Sequence, residues 1–320
     1  MLMSFKMYDT LNVGCDLSWT GTPFEEVLSQ HTDWKAEVST QTGEFLKYKR
    51  KDKNLGVYLH PKGYLNIYGS WSKYIAGDNF YSPTFQQLKK NVYDLSESYG
   101  VNLFTAKANR IDVSHCLNMD NDPSLYYAGL GQSQDSKTRV VVADGTLEYR
   151  GTDSTLCIYD KVKQSRATHS KIPDNYFGEN VLRVESRWTS NASISKMLGL
   201  RFNSKNWTDK QKEDAKPKII TVLNEEYYQN KIFKAYKDMY KKISKGKNII
   251  IPGAKDLTDA DARNFMLLSF IANSSENEAW RLFESFRFKS PKEKYRFKNH
   301  LTKILDTARE RTDLNEELDN

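Results

Sequence analysis

The sequence predicts an α+β chain, with an antiparallel-sheet domain over residues 1–200 and an all-helical domain over residues 201–320. Three observations carry that expectation. Short segments that alternate polar and apolar residues recur through the first two hundred positions. Turn residues separate those segments at short intervals. After Gly199 the apolar spacing becomes helical and charge grows dense.

Residues 5–70 read as strands with turns. Within them, Gly56 to His60 and Tyr64 to Tyr68 flank Pro61-Lys62-Gly63, which predicts a hairpin. Gly69-Ser70-Trp71-Ser72-Lys73-Tyr74 reads as a polar loop. Ser82-Pro83-Thr84 opens a helix with Phe85, Leu88, Val92 and Leu95 on one face. Pro83 suits its first turn, and Gly100 suits its end. A strand carrying Asp112 follows, and Pro123 to Leu130 fits neither pattern decisively. Arg139 to Ala143 and Thr146 to Tyr149 bracket Asp144-Gly145, a two-residue hairpin signal. Thr155 to Asp160 reads as a strand, Gln164 to Asn175 as a loop and Asn180 to Thr189 as another strand.

A helical region starts at Asn206-Trp207-Thr208-Asp209, and Pro217 interrupts it. From Glu225 onward, Tyr228, Ile232, Tyr236, Met239, Tyr240 and Ile243 form a broad apolar side. Further helices are expected from Leu257, through Trp280, Phe283 and Phe286, and over residues 291–311.

Composition narrows the function. A net charge of +7 and a pI near 9.0 favour a polyanionic partner. Cys15, Cys116 and Cys157 offer neither a disulfide framework nor paired zinc spacing, so a reducing compartment is expected. No signal-peptide core and no membrane-length apolar run is present, so the chain is expected in the cytoplasm. No glycine-rich phosphate loop and no serine elbow occurs. His31, His60, His115, His169 and His300 are isolated, so nucleases built on paired histidines are not matched.

Three segments concentrate the remaining chemistry. On the first, Arg110, Asp112 and Ser114 share a face, with Ile111 and Val113 opposite. On another, Arg183, Glu185 and Arg187 share a face, with Leu182, Val184 and Ser186 opposite. Taken alone, each reads either as an ion-pair ladder or as a carboxylate ligand for Mg²⁺ or Mn²⁺, with arginines on phosphates. Tyr159 shares its predicted strand face with Cys157 and Lys161. It reads as packing or as a nucleophile, with Lys161 lowering the phenol pKa or stabilising the leaving oxygen. The combined inventory suits metal-assisted attack of tyrosine on a phosphodiester. Lys237, Lys241 and Lys242 on one predicted helix, and Lys294 and Arg296 before the last, are candidate DNA contacts, or else a solvated helix face.

The ordered segments resemble the rolling-circle replication initiators of filamentous phages, the gene II and gene X family. The resemblance rests on Gly69-Ser70-Trp71-Ser72-Lys73-Tyr74-Ile75-Ala76-Gly77-Asp78-Asn79, Arg110-Ile111-Asp112, Ile158-Tyr159-Asp160-Lys161, Arg183-Val184-Glu185-Ser186-Arg187 and Leu198-Gly199-Leu200. It spans residues 55–200, and the later helices are similar in composition and length only. It implies an antiparallel-sheet nicking domain in which Tyr159 becomes linked to a 5′ phosphate and leaves a free 3′ hydroxyl. By analogy with related plasmid initiators, Asp112 and Glu185 would be metal ligands, with Lys161 as electrostatic support. Glu148 is not matched, and a second nucleophilic tyrosine is not evident. The implied partners are double-stranded origin DNA and the displaced single strand. The helical domain would grip origin DNA or contact a host helicase. Two rival readings are a non-catalytic single-strand-binding regulator on the same scaffold and a basic structural or packaging protein.

Overall fold

Leu55 to His60 alternates strictly between buried and half-buried residues, and Tyr64 to Tyr68 does the same. That period of two sets the rule for the main sheet. The computed structural model describes residues 7–119, 122–127, 130–134, 138–141, 145–200, 207–208, 211–212, 215–245 and 290–306. Its strands are β1 (Met7–Asp16), β2 (Lys35–Val38), β3 (Phe45–Asp52), β4 (Leu55–His60), β5 (Tyr64–Tyr68) and β6 (Lys107–Met119). After these come β7 (Leu130–Ser133), β8 (Thr138–Val141), β9 (Leu147–Arg150), β10 (Ser154–Asp160), β11 (Asn180–Trp188) and β12 (Ile243–Lys245).

Among the described residues, ten strands form one sheet in the order β2-β3-β4-β5-β1-β6-β11-β10-β9-β8. The pairs β4–β5, β1–β5, β1–β6, β9–β10 and β10–β11 are antiparallel. The α+β expectation therefore holds for the N-terminal region. The β4–β5 hairpin forms as expected, with Gly63 at φ +76°, in the left-handed region that glycine enters freely. β8 and β9 pair up to Val141 and Leu147, and residues 142–144 of their connection lie outside the described residues.

Register puts the apolar residues on one face. Val57, Ile67 and Val13 are cross-strand partners, as are Leu59, Leu65 and Cys15, and Leu11 faces Ile111. All of these are buried. The helix Phe85–Tyr99 covers this face with Phe85, Leu88, Val92 and Leu95. Its Phe85 ring meets Tyr8 edge-on, and Arg50 Nη1 donates to Tyr99 Oη at 2.7 Å. Thr84 caps this helix in a reciprocal pair with Gln87, so Pro83 lies before the first turn rather than within it. Gly100 ends it at φ +62°.

Two segments expected to be loops contain helices. Trp71–Ala76 is a short helix capped by Ser70. Lys161–Ala167 is another, started by Asp160, whose carboxylate accepts from the Lys163 amide. In both cases one capping side chain turns a polar stretch helical.

Farther along, Glu225–Tyr227, a π-helical turn Tyr228–Phe233 and Lys234–Lys241 run on without a break. Tyr228, Ile232, Tyr236 and Tyr240 recur every four residues and are all buried. A spacing of four overshoots the 3.6-residue α-helical turn. The wider π turn keeps the stripe on one side. This stripe joins the apolar face: Tyr228 packs on Tyr8 and Phe85, and Tyr8 Oη donates to Val222 O at 2.6 Å.

The chain forms two compact units, one of Met1–Asn118 with Ser136–Tyr240, the other of Met119–Asp135 with Lys241–Asn320. The strand-to-helix change near residue 200 therefore falls inside the first unit. In the second unit, β7 and β12 make a two-stranded sheet. Ile243 is thus in a strand and not on the predicted helix. The helix Pro291–Asp306 is present. The helices expected from Leu257 and around Trp280 lie outside the described residues.

Thr84→Ala removes the helix cap and should lower the stability of the first unit by about 1 kcal/mol. A urea titration should show a lower midpoint with an unchanged slope.

Candidate active site

β1, β6, β11 and β10 are adjacent at the middle of the sheet, and each contributes polar side chains to the face opposite the apolar core. Strand alternation puts Asp112 of β6, Arg183 and Glu185 of β11, and Cys157 and Tyr159 of β10 on this face. The sequence places Asp112, Glu185 and Tyr159 on three strands, and the topology makes those strands neighbours, with Glu185 on the middle one.

The contacts are close. Tyr159 Oη donates to Glu185 Oε2 at 2.8 Å. Arg183 Nε donates to the same oxygen at 3.2 Å, and Arg187 Nε donates to Oε1 at 2.7 Å. Arg183 Nη2 lies 3.0 Å from Asp9 Oδ2, an ion pair without hydrogen-bond alignment, while its Nη1 donates to the carbonyl of Asn79. Asp9 Oδ1 accepts from Ser70 Oγ at 2.8 Å and from Asn79 Nδ2 at 3.4 Å. Arg110 holds both oxygens of Asp112, with Nη2 to Oδ2 at 2.6 Å.

Burial divides the arginines. The Arg183 side chain is 2% exposed, whereas those of Arg110 and Arg187 are 34% and 31% exposed. Asp112, Glu185 and Tyr159 are all buried.

Electrostatics follow from this packing. Burial pushes the Asp112 carboxyl up to about 7; Arg110 opposes the shift and Glu185 adds to it. Glu185 is buried too, but Arg183 and Arg187 outweigh desolvation and hold it down at about 2. The Tyr159 phenol lies well above 10, raised by burial and then by the Glu185 charge, against the pull of Arg183. In this arrangement Glu185 is ionised and Tyr159 is protonated.

Lys161 departs from the sequence expectation. It is the first residue of a helix, not the next residue on the strand face of Tyr159. Its Nζ donates to Gln164 Oε1 at 3.0 Å and lies 5.3 Å from the Phe80 ring. Burial, with help from Arg183, brings its pKa down to about 8. Glu148 shares the face through its register with Cys157, and it pairs with Arg150 at 2.5 Å. Burial lifts the Cys157 thiol to about 12.

Lys237 lies 5.1 Å from the Phe233 ring, on the helix Lys234–Lys241. Lys241, Lys242, Lys294 and Arg296 belong to the second compact unit, and Lys241, Lys242 and Arg296 are exposed. None of these five is on the strands that carry the charged cluster.

Asp9, Ser70 and Asn79 are not among the site residues expected from the sequence. Ser70 and Asn79 fall in the glycine-serine segment that carries part of the resemblance, and that segment wraps around Asp9 and Arg183. Asp9 stands between Tyr8 and Thr10 at the start of β1, and no motif or spacing in the sequence singles it out.

A family model for the N-terminal part of the phage gene II replication-associated protein matches residues 7–210. The chain belongs to this family of filamentous-phage gene II replication initiators. No curated protein matches it. The matched span includes every residue of the buried cluster and the whole ten-stranded sheet. Among the described residues, no helix is long and apolar enough to cross a membrane.

Arg183→Met leaves Asp9 and Glu185 buried without their shared cation, and should cost about 3–5 kcal/mol of stability. Urea denaturation near neutral pH measures it.

Asp112 gives a pH signature. Its folded pKa of about 7 lies above its ordinary value of 3.8, so the folded state keeps a proton that the unfolded chain has released. Its contribution to stability is full below 3.8 and disappears as pH rises through about 7. In chelator-containing buffer, Asp112→Asn should therefore gain stability relative to the wild type as pH rises through that window. Paired urea titrations across it give the difference. Glu185 acts in the opposite sense, losing its contribution as pH falls from 4.5 toward about 2.

Proposed function

We propose that this initiator nicks one strand of its double-stranded origin by transesterification at Tyr159 and later rejoins the displaced strand. The observation that carries this reading is the hydrogen bond from Tyr159 to Glu185, at the centre of a face that also bears Asp112 and three arginines. Tyr159 Oη attacks phosphorus, and the bond from phosphorus to the 3′ oxygen breaks. The 5′ phosphate stays on the tyrosine, and the 3′ oxygen leaves and takes a proton. Because the phosphotyrosine ester keeps the bond energy, a later 3′ hydroxyl can reverse the step without ATP.

Glu185 is the nearest acceptor for the phenol proton. Held at about 2 by two guanidiniums, it is a weak base. When Arg187 turns to a phosphate, Glu185 loses one of those cations and its basicity rises. Arg110 can move in the same way, because both side chains are partly exposed, while Arg183 stays in place as the fixed counter-ion. Lys161, two residues from the nucleophile in sequence, supplies positive charge near Arg183 and Asp9.

A divalent cation, Mg²⁺ or Mn²⁺, suits hard carboxylate oxygens. Among the described residues no cluster of three or more His, Cys, Asp and Glu is grouped for metal binding. The donors that fit are Asp112 and the Oε1 side of Glu185, whose present partners are the two movable arginines. A bound cation would polarise the phosphodiester. Lys237, Lys241, Lys242, Lys294 and Arg296 add phosphate contacts to origin DNA. The C-terminal region would grip origin DNA in this way or contact a host helicase, and a pull-down of purified helicase by the full chain separates the two.

Tyr159→Phe should reduce nicking of supercoiled origin DNA to background and abolish the covalent adduct. Asp112→Asn and Glu185→Gln should each cut the rate by about 100-fold or more. Persistent nicking and adduct formation by Tyr159→Phe would rule out the nucleophile. Metal-independent nicking by the wild type would remove the cation from the scheme. Salt-sensitive binding with no cleavage under any metal would favour the single-strand-binding regulator.

A further inference from the structure

The face that carries the buried cluster continues, strand by strand, onto β1, β5, β4 and β3. Register traces it: Asp112 pairs with Thr10, Arg110 with Asn12, Gly14 with Asn66, Tyr58 with Asn66 and Lys49, and Gly56 with Tyr68 and Lys51. Toward the cluster the face is buried. Over β3 to β5 it opens, and a groove of about 710 Å³ lies there, lined by Lys35, Lys49, Lys51, Tyr58 and Tyr68.

Two glycines in strand interiors shape this surface. A strand glycine costs stability and often marks a close approach. A side chain at Gly56 would collide with the ring of Tyr68, and one at Gly14 would collide with the Tyr64 hydroxyl and the Asn109 amide. Each glycine therefore lets a tyrosine lie down across the sheet. Tyr68, folded over Gly56, stacks on Tyr58 with ring centroids 4.9 Å apart and planes 12° apart. Lys47 Nζ sits 3.9 Å above the Tyr58 ring, at the end of that stack. Tyr64, beyond them, binds Asn109 at 3.0 Å, next to Arg110.

The charge on this surface is basic, with two acids, Glu37 and Asp33, among the cations. Lys35, Lys47, Lys49 and Lys51 stand on β2 and β3; Glu37 lies 3.6 Å from Lys49 and 3.9 Å from Lys47. Asp33, at the groove, is engaged by Arg50 at 3.0 Å.

We infer that single-stranded DNA lies across this tyrosine and lysine face of β3 to β5 and runs from it toward the charged cluster. The inference rests on the DNA-nicking reading and gives the substrate strand a path. Stacked phenols offer π-faces to unpaired bases, which a duplex keeps hidden in its own stack. The ammonium of Lys47 holds the place of an arriving base and moves to its phosphate. From β4 to β10 is five strand spacings, roughly 24 Å. That span suits several nucleotides of extended strand.

The test uses the full chain carrying Tyr159→Phe, so that binding is read without chemistry. A fluorescein-labelled single strand of about 16 nucleotides is titrated by anisotropy at several salt concentrations. Lys49→Glu with Lys51→Glu should weaken binding and lower the salt slope by about 1.4. Tyr58→Ala and Tyr68→Ala should each weaken it about tenfold, while the phenylalanine variants, which keep the rings, bind like the parent. Ultraviolet cross-linking of a 5-iodouracil strand should label the peptide that contains Tyr58 and Tyr68. Unchanged affinity and slope in the lysine variant would overturn the inference, as would loss of binding only on Lys237→Glu with Lys241→Glu. Tighter binding of duplex than of single strand at equal salt would also overturn it. The nucleophile is judged separately by adduct formation with Tyr159 intact, so either claim can fail while the other stands.

Discussion

A guanidinium buried at the middle of the sheet sets the terms for everything around it. Arg183 is 2% exposed and lies between Asp9 of β1 and Glu185 on its own strand. Desolvating a charge this thoroughly is tolerated only with close counter-charges and hydrogen bonds. Asp9, Glu185 and the Asn79 carbonyl supply them. Each of those partners is held in turn: Asp9 by Ser70, Glu185 by Tyr159 and Arg187, Asn79 by its own contact with Asp9. The apolar face and its helices can form around many sequences. On the polar face, removing any member of this set leaves a buried charge or polar group without its partner.

The same constraint explains how the site is poised. The two carboxylates have different environments: Glu185 has two arginines and is pulled down, while Asp112 has one and burial pushes it up. Tyr159 donates to the carboxylate that stays ionised. On the proposed reading, the exposed arginines, Arg110 and Arg187, are the ones that exchange partners when a phosphate or a cation arrives. The buried one keeps the framework fixed while they do.

Much of this is legible in the sequence because alternation is a local property. The polar faces of β6 and β11, the β4–β5 hairpin and the Phe85–Tyr99 helix follow from spacing alone. That β11 separates β6 from β10 does not, since strand order depends on long connections. Lys161 leaves the strand face because Asp160 ends the strand by capping a helix, and one capping carboxylate outweighs a pattern of two-residue alternation. The short helix after Ser70 is hidden for the same reason. Asp9 cannot be singled out from sequence, because its partner Arg183 is 174 positions away in the chain, by subtraction of their numbers. The π turn at Tyr228 to Phe233 is implicit in a stripe that repeats every four residues.

The proposed nucleophile is the tyrosine bound to Glu185. The most direct measurement is to trap the covalent complex on an origin strand labelled on the 3′ side of the nick, digest both components and identify the modified peptide by mass spectrometry. One phosphotyrosyl-nucleotide is expected, at Tyr159. A nucleotide on any other tyrosine, or on serine, would contradict it.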